Sequence, residues 1–66
     1  MIFTAYTARH HLTRIAGLRR ASVEGATFSM VEGGVVVHLH GQGGIIWVGS
    51  FTDSDQARSF MGWACR

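Results

Sequence analysis

Hydrophobic patterning is densest from Ala26 to Phe51, ATFSMVEGGVVVHLHGQGGIIWVGSF, where β-branched and aromatic residues are cut at short intervals by glycines. Such side chains suit a pleated surface, and paired glycines supply the positive φ of tight hairpins. The pattern predicts a three-stranded antiparallel meander with turns at Gly33-Gly34 and Gly41-Gln42-Gly43-Gly44. With Gly33-Gly34 as a two-residue loop, Glu32 pairs with Val35, Met30 with Val37 and Phe28 with Leu39. Phe28, Met30, Val35, Val37 and Leu39 then share one face. A slip of one residue would set Phe28 and Met30 beside His38 and Val36, so burial selects the first register and makes this apolar face the core face.

Ahead of the meander, Ile2 to Tyr6 alternate weakly and suit a first strand. Thr7 is placed to cap a short helix running to about Ala16, with Gly17 as the left-handed residue after it and Leu18 folding back on Leu12. Leu12, Ile15 and Ala16 form its expected buried stripe. Extending that helix beyond Gly17 would carry Arg19 into the apolar arc. Leu18 to Val23 reads as another extended segment, with Glu24-Gly25 turning the chain into the meander; the alternative is a continued or second short helix. Both leave Arg20 facing solvent.

After Phe51, Thr52-Asp53-Ser54-Asp55 has the form of a capping box, with Thr52 as the cap and acids suited to a helix N-terminus. Ala57, Phe60, Met61 and Ala64 follow helical spacing and lie on the sheet, with Trp63 flanking Phe60. The sum is an α+β fold. It is a small two-layer domain with an antiparallel sheet of four or five strands, order β-α-(β)-β-β-β-α, a short N-terminal helix, and the C-terminal helix packed on the core face.

Composition narrows the function. The 66 residues make one domain, 1–66, and a chain of this size hides only about 60% of its unfolded surface, too little to enclose a large active-site cavity. A hydrophobic content of 47% with 15% charged residues describes a folded chain. The net charge is +2 and the six basic residues are all arginine, far from the dense basic stripe of a dedicated nucleic-acid binder. A single cysteine, Cys65, excludes an internal disulfide and points to a reducing compartment. No apolar run approaches the length of a membrane span, about 18 residues or more, and the first residues lack the basic and apolar regions of an export signal. A cytoplasmic location and no membrane partner are the expectation.

Candidate chemistry begins with histidine. His38 and His40 are two apart on a strand and share a face, as metal ligands would. A third and fourth ligand are missing, since His10 and His11 diverge by about 100° around a helix. The pair is read as polar residues on the solvent side, and no metal or cofactor is expected. For catalysis, Glu24 and Glu32 fall in turns, while Asp53 and Asp55 serve a helix start. Cys65 has no orienting shell, no serine has a nucleophile-elbow context, and the glycines lack the Lys-Ser/Thr of a phosphate loop. The chain is read as not an enzyme.

Binding remains. If the second hairpin pairs His40 with Ile45 and His38 with Trp47, the face opposite the helix collects Arg20, Val36, His38, His40, Ile45 and Trp47. In the competing register Trp47 turns inward with Ile45 and becomes core, leaving Ile46 and Val48 outside. An arginine and an aromatic on an open sheet resemble, in principle, platforms that stack single-stranded nucleic acid. Arg9, Arg14, Arg19 and Arg20 would then contact phosphate. The stronger reading is protein binding, because an uncovered sheet face with large apolar groups usually means a partner. Two occupants suit it: a second copy of the chain, or a larger host protein or complex whose surface this small protein occludes. A short self-contained chain with no catalytic set fits a phage or mobile-element inhibitor, in the manner of anti-defence proteins such as anti-CRISPRs. The bland alternative is that the N-terminal strand and helix fold across this face and bury it.

Overall fold

Glycine conformation sets the hairpins. The computed structural model describes all 66 residues. Its strands are β1 (Ile2–Phe3), β2 (Gly25–Val31), β3 (Gly34–Gly41) and β4 (Gly44–Phe51), and its helices α1 (Ala5–His10) and α2 (Ser54–Ala64). The meander β2-β3-β4 is antiparallel, but β1 lies parallel to β4, so the four-stranded sheet is mixed, in the order β1-β4-β3-β2. An antiparallel sheet throughout is therefore corrected. Phe3 pairs with Phe51 and stacks against Trp47, which draws the N-terminal strand to the β4 edge.

In the first hairpin Val31 pairs with Gly34, so the loop is Glu32-Gly33 rather than Gly33-Gly34. Gly33 carries the positive φ (+83°), whereas Gly34 is a strand residue whose Cβ would lie 2.5 Å from the Phe51 carbonyl oxygen. Phe28 accordingly pairs with Val37 and Met30 with Val35, two residues from the expected register. A shift of two preserves the face of every side chain. Phe28 and Met30 thus share the core face with Val35, Val37 and Leu39, but only the last three are buried. The reason is that α2 packs mainly on β3 and β4 and reaches β2 through Arg58, which lies over the Phe28 ring at 5.9 Å.

The helix starts differ from expectation. Thr4, not Thr7, caps α1: the Thr7 amide donates to Thr4 Oγ1 (3.2 Å), and the Thr4 amide donates to Thr7 Oγ1 (2.8 Å). This reciprocal pair starts the helix three residues earlier than expected. At α2 the cap is Asp53 rather than Thr52, its Oδ1 accepting from the Gln56 amide at 2.9 Å. Gln56 Oε1 in turn accepts from the Ala5 amide at 2.8 Å and ties the two helix starts together.

A π-helical turn, His11–Ile15, continues α1. The wider turn rotates the later residues, so the buried stripe is Ala5, Ala8 and Leu12, while Ile15 and Ala16 face solvent. Gly17 (φ +68°) ends the helix, and the Leu18 amide reaches the Leu12 carbonyl at 2.9 Å. Residues 18–23 hold no fifth strand. A 3-10 turn, Arg20–Ser22, stands there instead. It lets Arg20 Nε donate to the Trp63 carbonyl at 3.0 Å and bring its guanidinium 4.7 Å from the Trp63 ring centre. Arg20 is half-buried against α2, which corrects its expected solvent position.

Both helices contribute to one core on one side of the sheet. Phe3, Leu12, Val35, Val37, Leu39, Trp47, Phe51 and Phe60 are its large members, and Ala5, Ala8, Ala57 and Ala64 permit close helix approach. No helix is long and apolar enough to cross a membrane.

Candidate functional site

The register across the second hairpin decides what the other side of the sheet displays. His40 pairs with Ile45, but Leu39 pairs with Trp47 and His38 with Val48, so Ile46 is an extra residue opposite the Leu39/His40 step. A bulge of this kind brings two consecutive residues toward one side. Ile46 and Trp47 both turn to the core, where Trp47 is 5% exposed. The expected place of Trp47 on the open face is therefore corrected.

Trp47 has a prepared seat. Gly49 follows it by two residues on the same face, and a Cβ at Gly49 would run into the indole and approach Phe3 at 3.0 Å. The missing side chain is the niche that the ring fills. Around it stand Phe3 (5.4 Å between ring centres), Phe60 (5.0 Å) and His11 (6.0 Å). The indole Nε1 donates to His11 Nδ1 at 3.2 Å, which requires the imidazole tautomer with its proton on Nε2. His11 is thus a structural partner of Trp47. Replacing it with alanine is expected to strand a buried indole donor and destabilise the fold by about 1–3 kcal/mol, measurable as a lower urea midpoint at unchanged slope.

The open face is built in rows across the strands. Ser29, Val36, Ser50 and Ile2 form one row; Thr27, His38 and Val48 the next; Gly25, His40 and Ile45 the third. Val36, His38 and His40 therefore stand where the sequence placed them, joined by Ile45, while Arg20 and Trp47 belong to the other side. Ile45 is 57% and Val48 53% exposed, and Ile2 and Val31 extend the apolar surface toward one end. His40 Nε2 lies 3.1 Å from Thr27 Oγ1, a diagonal hydrogen bond between β3 and β2. The patch combines aliphatic groups with two imidazoles and three hydroxyls, and no helix lies over it.

Sequence reading put Val48 on this face only in the register that also turned Ile45 inward, because it assigned no bulge; Thr27, on this face by alternation with Phe28, it did not single out. The signal was present: Ile45-Ile46-Trp47-Val48 is four apolar residues in a row, which strict alternation cannot place, and Trp47-x-Gly49 marks a ring over a glycine.

None of the six arginines lies in a strand, so the open face carries no fixed positive charge. An arginine-containing sheet face for nucleic acid is thereby corrected. Arg9 and Arg20 place their guanidinium carbons 5.3 and 4.7 Å from the Trp63 ring centre on the helix side, and Arg14 and Arg19 project into solvent. No three His, Cys, Asp or Glu side chains come together as metal ligands. A shallow cleft of about 220 Å³ opens at the sheet end beside Ile2, Val31, Gly34 and Ser50. It is smaller than the roughly 300–1,000 Å³ of small-molecule sites.

Fold and face together define a small α+β domain with a mixed four-stranded sheet, two helices on one side and an uncovered side opposite. No protein-family model, curated protein or solved structure matches the chain.

Proposed function

We propose that this chain is a non-enzymatic protein-interaction module that binds a larger protein through the open face of its sheet and acts by covering that partner's surface. The observation that carries the reading is the uncovered face of Val36, His38, His40, Ile45 and Val48, opposite a core that both helices already fill. Exposed aliphatic area of this kind gains free energy when water is removed from it, about 25 cal/mol per Å². Imidazole and hydroxyl groups among it supply hydrogen bonds that orient a partner without the desolvation cost of full charges. A phage or mobile-element inhibitor that occludes a host defence complex is the biological setting we propose.

Val48→Glu, at an exposed strand position, is expected to cost the fold less than about 1 kcal/mol and to weaken partner capture at least about tenfold. The experiment is capture from a bacterial lysate with wild-type and Val48→Glu protein, with circular dichroism confirming the fold of each. Equal capture by a folded Val48→Glu protein would remove the open face from consideration. The second reading, nucleic-acid binding, rests on Arg9 and Arg20 gathering on the helix side with Arg14 and Arg19 exposed nearby in sequence. It requires binding to single-stranded DNA or RNA that falls steeply with salt and is lost in Arg14→Ala/Arg19→Ala.

A further inference from the structure

The sheet has two edges of very different character. At one, β1 is two residues long. At the other, β2 presents seven residues, Gly25-Ala26-Thr27-Phe28-Ser29-Met30-Val31, with no charged residue, no proline and an unbroken register to β3. Sheet proteins ordinarily guard such an edge with lysine, proline, a bulge or a covering segment, because its free amides and carbonyls will pair with any extended chain. The strand itself has none of those guards; from α2 only Arg58 reaches it, its guanidinium carbon 5.9 Å from the Phe28 ring centre on the helix side of the sheet.

We infer that β2 pairs antiparallel with the β2 of a second copy about a two-fold axis at Phe28, joining two sheets into one continuous sheet. The hydrogen-bond parity is right for this. Val31 and Gly34 close a two-residue loop and bond each other, so Gly25, Thr27, Ser29 and Val31 direct their main-chain groups to β3. Ala26, Phe28 and Met30 direct theirs outward. A two-fold axis at Phe28 faces Phe28 with its own copy and Ala26 with Met30 of the partner copy, all three outward-directed positions. Each such pair forms two bonds, for about six new main-chain hydrogen bonds.

Side-chain sizes match in the same register. Met30, 70% exposed, falls opposite the small Ala26; Val31, 46% exposed, falls opposite Gly25; Ser29 faces Thr27, a hydroxyl pair. Large groups meet small ones on both faces of the junction. The strand carries no charge of its own to oppose its copy; the cation nearest the axis is Arg58 of α2, which lies over the Phe28 ring. Closure argues for a second copy over an open-ended stack. A two-fold pairing consumes both β2 edges and leaves β1 at each end, too short to template another strand. The acids just beyond the strand, Glu24 and Glu32, face each other across the axis, so salt should strengthen the dimer and Glu32→Lys should tighten it several-fold.

The test is sedimentation velocity over a concentration series, with amide exchange followed by NMR. The expected result is a reversible dimer, with the Ala26, Phe28 and Met30 amides protected at high concentration and exchanging freely on dilution. Met30→Lys restores an edge guard and carries it twice per dimer, so self-association should weaken at least about tenfold with circular dichroism unchanged. A chain that stays monomeric at high micromolar concentration with those amides unprotected overturns the inference. So does a dimer that survives Met30→Lys. Val48→Glu, on the open face, should leave the dimer intact, which separates this result from the fate of the proposed partner site.

Discussion

Trp47→Ala is expected to destabilise the domain by about 3–5 kcal/mol. Trp47 is buried among Phe3, Phe51 and Phe60, and its Nε1 hydrogen bonds His11, so truncation removes ring contacts and also leaves a void that four different elements line. For a chain of this length a total stability of roughly 3–10 kcal/mol is the general expectation. The substitution should therefore remove a large share of the stability at 25 °C. Far-UV circular dichroism in urea reads this directly, and Trp63 alone remains as a fluorescent reporter. A Trp47→Ala protein with a near-wild-type urea midpoint would show that the indole is not core. Loss of partner capture by this variant would carry no information about an interface, because the fold itself is destabilised.

Gly49→Ala should act on the same seat from the opposite side. The added methyl would occupy space that the Trp47 ring holds, with Phe3 only 3.0 Å away and no flexible side chain to yield. Overpacking of this order costs about 1–3 kcal/mol. The niche account makes a sharper claim through a cycle. In a Trp47→Leu background the ring is gone, and the Gly49→Ala penalty should shrink by at least about 0.5 kcal/mol, the onset of measurable coupling between contacting residues. Equal penalties in the two backgrounds would mean that Gly49 is required for its backbone and not for the space above it.

These two residues show how far the sequence could be read. Strand positions in the meander followed from β-branched runs cut by glycine, and the core set Val35, Val37 and Leu39 from alternation of period two. The error of two residues in the first hairpin was harmless because it preserved parity. A bulge is different in kind, since one extra residue reverses the face of everything beyond it on that strand. Missing Ile46 as the inserted residue is what tied Trp47 to Ile45, so that one register put both outside and the other put both inside with Ile46 and Val48 out. The helix caps shifted for a local reason: Thr4 and Thr7 are both competent caps, and only their reciprocal bonding decides which one starts the helix.

What the chain determined by itself was the three strands of the meander, the C-terminal helix and the inner face of the central strand, because these arise from neighbours within a few residues. Tertiary structure decided the rest. It set β1 parallel against β4 through Phe3, drew Arg20 onto Trp63, and seated α2 mainly on β3 and β4. Each depends on which distant side chains meet, and the period of a sequence pattern carries no information about that.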